Sequence, residues 1–201
     1  MGKTYGQQRV DLLANCDFPI VVISREESEI EFPTVNINNY QAAYDMTSHL
    51  IAQGYQKIAF IGGPKEDTTA GLKREEGYKQ ALTDSEIEVN SDLMVKGEFT
   101  LKSGYQGIKT ILDRQQTLDA VFAANDEMAV GAMRRIKEED YMIPEDIAVA
   151  GFDNISLVDY VQPSLTTVVQ PVYELGKKGI ATLLSLIRGE ELDTNDIVLD
   201  Y

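Results

Sequence analysis

Between residues 18 and 152, short apolar runs alternate with longer amphipathic stretches, and no other feature of the chain constrains its fold as tightly. A short run of β-branched or aromatic residues closed by turn chemistry suits a buried strand, and an apolar period near 3.6 suits a helix lying on a sheet. Strands are expected at residues 18–24, 57–62, 93–97, 119–124 and 147–152, and helices at 39–53, 72–83, 103–114 and 126–139. The first helix carries Ala43, Met46, Leu50 and Ile51 and stops at Gly54; the last carries Met128, Ala129, Ala132, Met133 and Ile136 along one side. Near the end, Pro171 suits a first helical turn. A stripe of Val172, Leu175, Gly176, Gly179, Ile180, Leu183, Leu184 and Ile187 follows and is closed by Gly189. Its two glycines predict close helix packing. Strand–helix units in succession build a parallel sheet, so the fold class is α/β, doubly wound.

A chain of 201 residues with 43% hydrophobic content can bury a substantial core, as one domain or two lobes. Its 33 acidic and 18 basic residues give a formal charge of −15, with no Lys/Arg cluster dense enough to track phosphates, which argues against nucleic-acid binding by this segment. The single cysteine, Cys16, cannot form an intrachain disulfide and reads as core filler, in keeping with a cytoplasmic setting. No apolar stretch follows the basic residues at the start, and none approaches the roughly 20 residues of a membrane helix, so neither secretion nor a membrane partner is expected.

In a doubly wound sheet, ligands bind outside the carboxyl ends of the strands. Those positions are polar here. Gly63-Pro64-Lys65-Glu66-Asp67-Thr68 follows the second strand, with Arg74 in the next helix; Phe99 follows the third; Asn125-Asp126 follows the fourth; Asp153-Asn154 follows the fifth. A guanidinium, an amide, a carboxylate and an aromatic face suit a sugar or another polyhydroxylated molecule. Each residue also has a plainer use. Asn125 or Asp126 can cap the helix that follows, Asp153 can close its own turn, Phe99 can fill a gap, and Arg74 can lie on a charged helix face beside Glu75 and Glu76.

Catalysis lacks its parts. The sole histidine, His49, falls inside the first helix and reads as partly buried, with no Ser or Cys in a nucleophile-elbow context. One His and one Cys far apart form no metal site, so no cofactor or metal is expected. Gly62-Gly63-Pro64 lacks the Gly-Lys-Ser/Thr ending of a phosphate loop, and its proline removes a backbone donor.

Five ordered stretches resemble successive motifs of the LacI/GalR family of bacterial transcription repressors. They are Ile58-Ala59-Phe60-Ile61-Gly62-Gly63-Pro64; Arg74-Glu75-Glu76-Gly77-Tyr78-Lys79-Gln80-Ala81-Leu82; Phe122-Ala123-Ala124-Asn125-Asp126-Glu127-Met128-Ala129-Val130-Gly131; Pro144-Glu145-Asp146-Ile147 continuing to Gly151-Phe152-Asp153-Asn154; and Pro163-Ser164-Leu165-Thr166-Thr167-Val168-Val169-Gln170-Pro171. The stretch from Thr167 is most similar to catabolite control proteins.

The resemblance implies a core like that of periplasmic sugar-binding proteins, with two lobes joined by three crossing strands and an effector in the cleft. It implies residues 1–35 as a remnant of the N-terminal lobe, 36–167 as the C-terminal lobe, 168–192 as a return helix of the first lobe and 193–201 as a strand crossing back. It also implies effector contacts from Arg74, Phe99, Asn125, Asp153 and Gln170. A homodimer interface would include Ala129, Met133, Val158 and Tyr160. The implied partners are a sugar or sugar phosphate, a second copy, operator DNA through an N-terminal helix-turn-helix that these residues do not contain, and a phosphocarrier protein as corepressor. Thr68 stands where some members have a second basic contact. A transport-linked sugar-binding protein is the alternative, and an enzyme is not expected.

Overall fold

The computed structural model describes residues 17–24, 32–65, 67, 70–114 and 116–201; Cys16 and Thr68 lie outside them. The chain divides into two compact units, residues 38–170 with Tyr201, and residues 1–37 with 171–200. It passes from one unit to the other after Ile37, after Gln170 and after Asp200.

In the smaller unit, β1 (Val22–Ile23), β2 (Thr34–Ile37) and β8 (Asp196–Leu199) form a parallel sheet in the order β1-β2-β8. The Thr34 hydroxyl donates to Asp196 Oδ1 at 2.8 Å, fixing that register. The strand expected at 18–24 is only two residues long. Thr34–Ile37 escapes prediction because four buried residues, two of them polar, show no period. Within the stretch expected to cross back, 193–201, Asp196–Leu199 pair with β2 inside this sheet. A long helix, Val172–Ile187, lies on the sheet through Leu175, Gly179 and Thr182, while Tyr173, Ile180, Leu184 and Ile187 face outward. The expectation for its glycines is corrected. A Cβ on Gly179 would strike Ile23 of β1, a strand and not a helix, and one on Gly176 would meet nothing within 4 Å.

The larger unit is a five-stranded parallel sheet in the order β4-β3-β5-β6-β7: β3 (Ile58–Gly62), β4 (Met94–Lys96), β5 (Ala120–Ala123), β6 (Ala148–Asp153) and β7 (Thr166–Val169). α1 (Asn39–Ala52) leads into β3, and α2 (Ala70–Asp84), α3 (Leu101–Asp113) and α4 (Asp126–Glu138) connect the successive strands from β3 to β6. The Val172–Ile187 helix is then α5. Right-handed crossovers put α2 on one face and α3 and α4 on the other, because the order turns back between β4 and β5. Phe60 and Phe122, in register on β3 and β5, meet edge to face at 5.5 Å. Tyr78 of α2 stacks on Phe60 at 4.7 Å and its buried hydroxyl donates to the Ile58 carbonyl at 2.7 Å.

The helix starts follow local chemistry. Asn38 caps α1 by accepting from the Gln41 amide at 2.9 Å, and Thr100 with Ser103 makes a capping box that starts α3 two residues earlier than its apolar period suggests. His49, expected to be partly buried, is exposed in the last turn of α1.

Glycine sets the helix–helix contacts. A Cβ on Gly77 of α2 would run into the Tyr40 carbonyl of α1, one on Gly104 of α3 into the Met128 backbone of α4, and one on Gly131 of α4 into the Leu101 carbonyl of α3. Backbone cannot yield as a side-chain tip can. Gly104→Ala and Gly131→Ala should therefore each lower stability by about 3 kcal/mol in urea unfolding. Gly176→Ala, mid-helix with open space around it, should raise stability by about 0.5–1 kcal/mol. Equal effects at these positions would contradict the packing described.

Candidate functional site

The carboxyl ends of β4 to β7 deliver side chains to one edge of the five-stranded sheet. Arg74, in the second turn of α2, is the centre of the group. Only 4% exposed, it does not lie on a charged helix face. Its Nε donates to Asn39 Oδ1 at 3.0 Å, and its Nη1 donates to the Ala124 carbonyl at 2.6 Å and reaches Asp153 Oδ1 at 3.5 Å. The guanidinium sits 3.6 Å from the centroid of the Phe152 ring. A buried cation requires this number of acceptors, because an unpaired one would carry its whole desolvation cost.

Asp153 ends β6. Its Oδ1 also accepts from Gln170 Nε2 at 2.6 Å, just past the end of β7, and its carbonyl accepts from the Gln170 amide at 3.3 Å. Burial pushes the Asp153 carboxyl up, and the Arg74 charge and the Gln170 hydrogen bond only partly counter it. Its side chain thus reaches across to two other elements and does not close its own turn. Three residues at this edge have left-handed backbone without being glycine: Asp153 at φ 113°, Asn154 at 56° and Phe99 at 54°. Such conformations persist only where the surroundings impose them.

Asn125 does what the plainer reading expects. Its Oδ1 accepts from the Met128 amide at 3.0 Å and caps α4, while its Nδ2 donates to the Phe99 carbonyl at 3.1 Å and ties the post-β4 loop to the post-β5 loop. The half-buried Phe99 ring lies against Gly63 and Gly71, leaving no room for a Cβ at Gly63. All five expected effector residues therefore stand at one edge, in two hydrogen-bonded groups: Arg74 with Asp153 and Gln170, and Asn125 with Phe99. The Ala124–Asn125 backbone joins the groups.

Three contributors carried no sequence signal that set them apart. Asn39 follows a helix cap and is paired with Arg74 only in space; Phe152 lies inside a strand; Thr167 donates at 2.5 Å to the buried Asp126. Beside them, burial acts to raise Glu75, but Lys79 at 2.6 Å and Lys96 outweigh it and its pKa is lowered.

The residues expected at an interface divide. Ala129 and Met133 are 0% and 4% exposed within this one chain, on the side of α4 packed into its own unit, so their side chains present no surface to a second copy. This corrects the expectation for both. Tyr160, closing the 3-10 segment Ser156–Tyr160, is 83% exposed, and Val158 is half-buried. Among the described residues, no helix is long and apolar enough to cross a membrane.

Residues 47–201 match the periplasmic binding protein-like domain. The chain is 36% identical over 182 residues to the HTH-type transcriptional repressor CytR of Escherichia coli strain K12, covering 90% of this chain and 53% of that protein. It therefore spans about half the length of that relative. The solved structure of the transcription regulator CcpA of Lactococcus lactis superposes with a TM-score of 0.89 at 31% identity, covering all of this chain and 73% of that one. A CelR–cellobiose complex, also a transcriptional regulator, superposes at 0.83 with 29% identity, covering 96% and 66%. All three are transcriptional regulators by name. The chain belongs to the periplasmic-binding-protein-like domain family, within the group formed by the LacI-type transcriptional regulators.

Proposed function

We propose that these residues form the effector-sensing core of a transcriptional repressor, with a sugar or related polyhydroxylated metabolite bound at the carboxyl edge of the five-stranded sheet. One observation carries this reading. Arg74, Asp153 and Gln170, from three elements, share a hydrogen-bonded cluster held partly by left-handed backbone at a strand end, which packing alone does not require. Asp153 accepts from ligand hydroxyls, the remaining Asn125 N–H donates, and the Phe99 ring covers an apolar sugar face. The CelR complex with cellobiose supports a saccharide as the class of ligand.

Regulation works by population shift. A ligand that contacts one arrangement of the protein better than another favours that arrangement by its differential binding energy. With a formal charge of −15, these residues repel phosphate backbones, and operator contact belongs to a helix-turn-helix elsewhere in the repressor. No chemical step is assigned to the site.

A panel of saccharides and saccharide phosphates, read by thermal shift and calorimetry, tests the sensor. Gln170→Ala should weaken the binding ligand about ten-fold, near 1.4 kcal/mol, while costing little stability. Arg74→Ala serves less well, because stripping a buried cation from its partners costs about 3–5 kcal/mol by itself. A panel in which nothing binds removes the sensor reading. Adding a phosphorylated phosphocarrier protein to the same panel tests the corepressor that the catabolite-control likeness implies.

Affinity should also depend on pH. The pKa of Asp153 is raised, so on acidification the unliganded protein takes up its proton earlier than an ordinary carboxylate would, and the ionised form that accepts ligand hydroxyls is lost. Binding should weaken as pH falls through that raised pKa, and Asp153→Asn should abolish the dependence.

A homodimer through the Ser156–Tyr160 segment is the second part of the proposal. Tyr160→Asp should convert a dimer to a monomer in sedimentation velocity and leave unfolding unchanged, because Tyr160 is almost fully solvated within one chain. An unaltered mass would place the interface elsewhere.

A further inference from the structure

The buried carboxylate of Asp126 is not used by the proposed site, yet it lies beside it. Asp126 opens α4, is 0% exposed, and does not cap its own helix, since Asn125 does that. Its Oδ2 accepts from the Ile155 amide at 2.8 Å and its Oδ1 from the Thr167 hydroxyl at 2.5 Å. The amides of Asn154 and Phe152 also favour the ionised form, against the burial that pushes its pKa up. Asn154 and Ile155 belong to the turn in which Asp153 and Asn154 have left-handed backbone, Phe152 to the end of β6 that enters it, and Thr167 to β7 beside it. Successive amides turned toward one anion form the kind of nest that ordinarily holds a phosphate. Here the anion is a side chain of the same chain. The fit is close enough that a Cβ on Gly151 would strike Asp126 Oδ1.

Two surfaces meet at this turn. On one side Asp153 reaches Arg74 and Gln170. On the other, Ile155 leads directly into Ser156–Tyr160, which ends in the exposed Tyr160. We infer that Asp126 is a positioning residue whose carboxylate holds the post-β6 turn in the conformation that aims Asp153 at Arg74, and thereby links the state of the ligand cluster to the order of the Ser156–Tyr160 segment. The link is mechanical and local: one anion restrains residues 152–155, the cluster lies at one end of that restraint and the exposed segment at the other. Linkage makes it reciprocal, so a disturbance at either end is felt at the other.

The inference rests on the proposed site for its meaning, but its test needs no ligand. NMR hydrogen exchange on the whole 201-residue chain reads the backbone amides, and the Nε–H of Arg74, whose guanidinium bonds both Asn39 and Asp153, reports on the cluster. Asp126→Asn should speed exchange at least ten-fold across residues 153–160 and at the Arg74 Nε–H, with amides of β3 and β5 unchanged. Thr167→Val, which removes one donor and leaves the carboxylate, should produce the same pattern more weakly and covers the case in which Asp126→Asn does not fold. In the reverse direction, Gln170→Ala should speed exchange at residues 155–160. Acceleration spread evenly through β3 and β5 would mean that Asp126 acts only on global stability, and an unchanged Arg74 resonance would mean that the turn and the cluster are independent; either overturns the inference. A saccharide panel without a hit would remove the sensor reading and leave this result standing.

Discussion

A guanidinium with almost no access to water has to be surrounded by acceptors, and at Arg74 this requirement draws three separate parts of the larger unit onto α2. Asn39 at the start of α1, the Ala124 carbonyl after β5, Asp153 at the end of β6 and the face of Phe152 all converge on it. A misplaced partner leaves charge unpaired in a medium where that costs several kcal/mol, so the cluster acts as a register check on the strand ends. The edge proposed to hold a ligand is thus also an edge whose geometry is tightly determined.

The scaffold behind it is rigid for a different reason. Where α1 meets α2 and α3 meets α4, glycine lets backbone approach backbone, so the helix pairs rest on contacts that cannot be relaxed by a rotamer change. Tyr78 and the two phenylalanines beneath α2 lock one such pair to the sheet. Against that background the adjustable parts are the strand-end loops, held by a few directed polar contacts: Asn125 on the Phe99 carbonyl, Gln170 on Asp153, Asp126 on Ile155. A sensor requires this division, since a ligand shifts a population only where contacts differ between states.

Much of the larger unit was legible in the sequence. The strands at β3, β5 and β6 and the helices α1 to α4 announce themselves because each buries one apolar face or run, and α1, α3 and α4 also start at a capping side chain, Asn38, Thr100 and Asn125. The smaller unit was much less legible. Its strands are two to four residues long, too short to show a period, and the two glycines of α5 look alike in sequence although only one of them touches a neighbour.

For the site, sequence alone determined that polar residues stand after several strands of a parallel sheet, and topology then obliges them to share an edge. What it could not determine is which of them do which work. That Asn125 spends its oxygen on a helix cap, that Ala129 and Met133 are spent on the interior of their own unit, that Asn39 answers Arg74 and that Asp126 fills a nest of amides are matters of three-dimensional proximity. The partners of such contacts lie up to 79 residues apart in the chain, and a hydrogen bond over that span leaves no periodic trace in either segment. Only the folded sheet brings them within hydrogen-bonding distance.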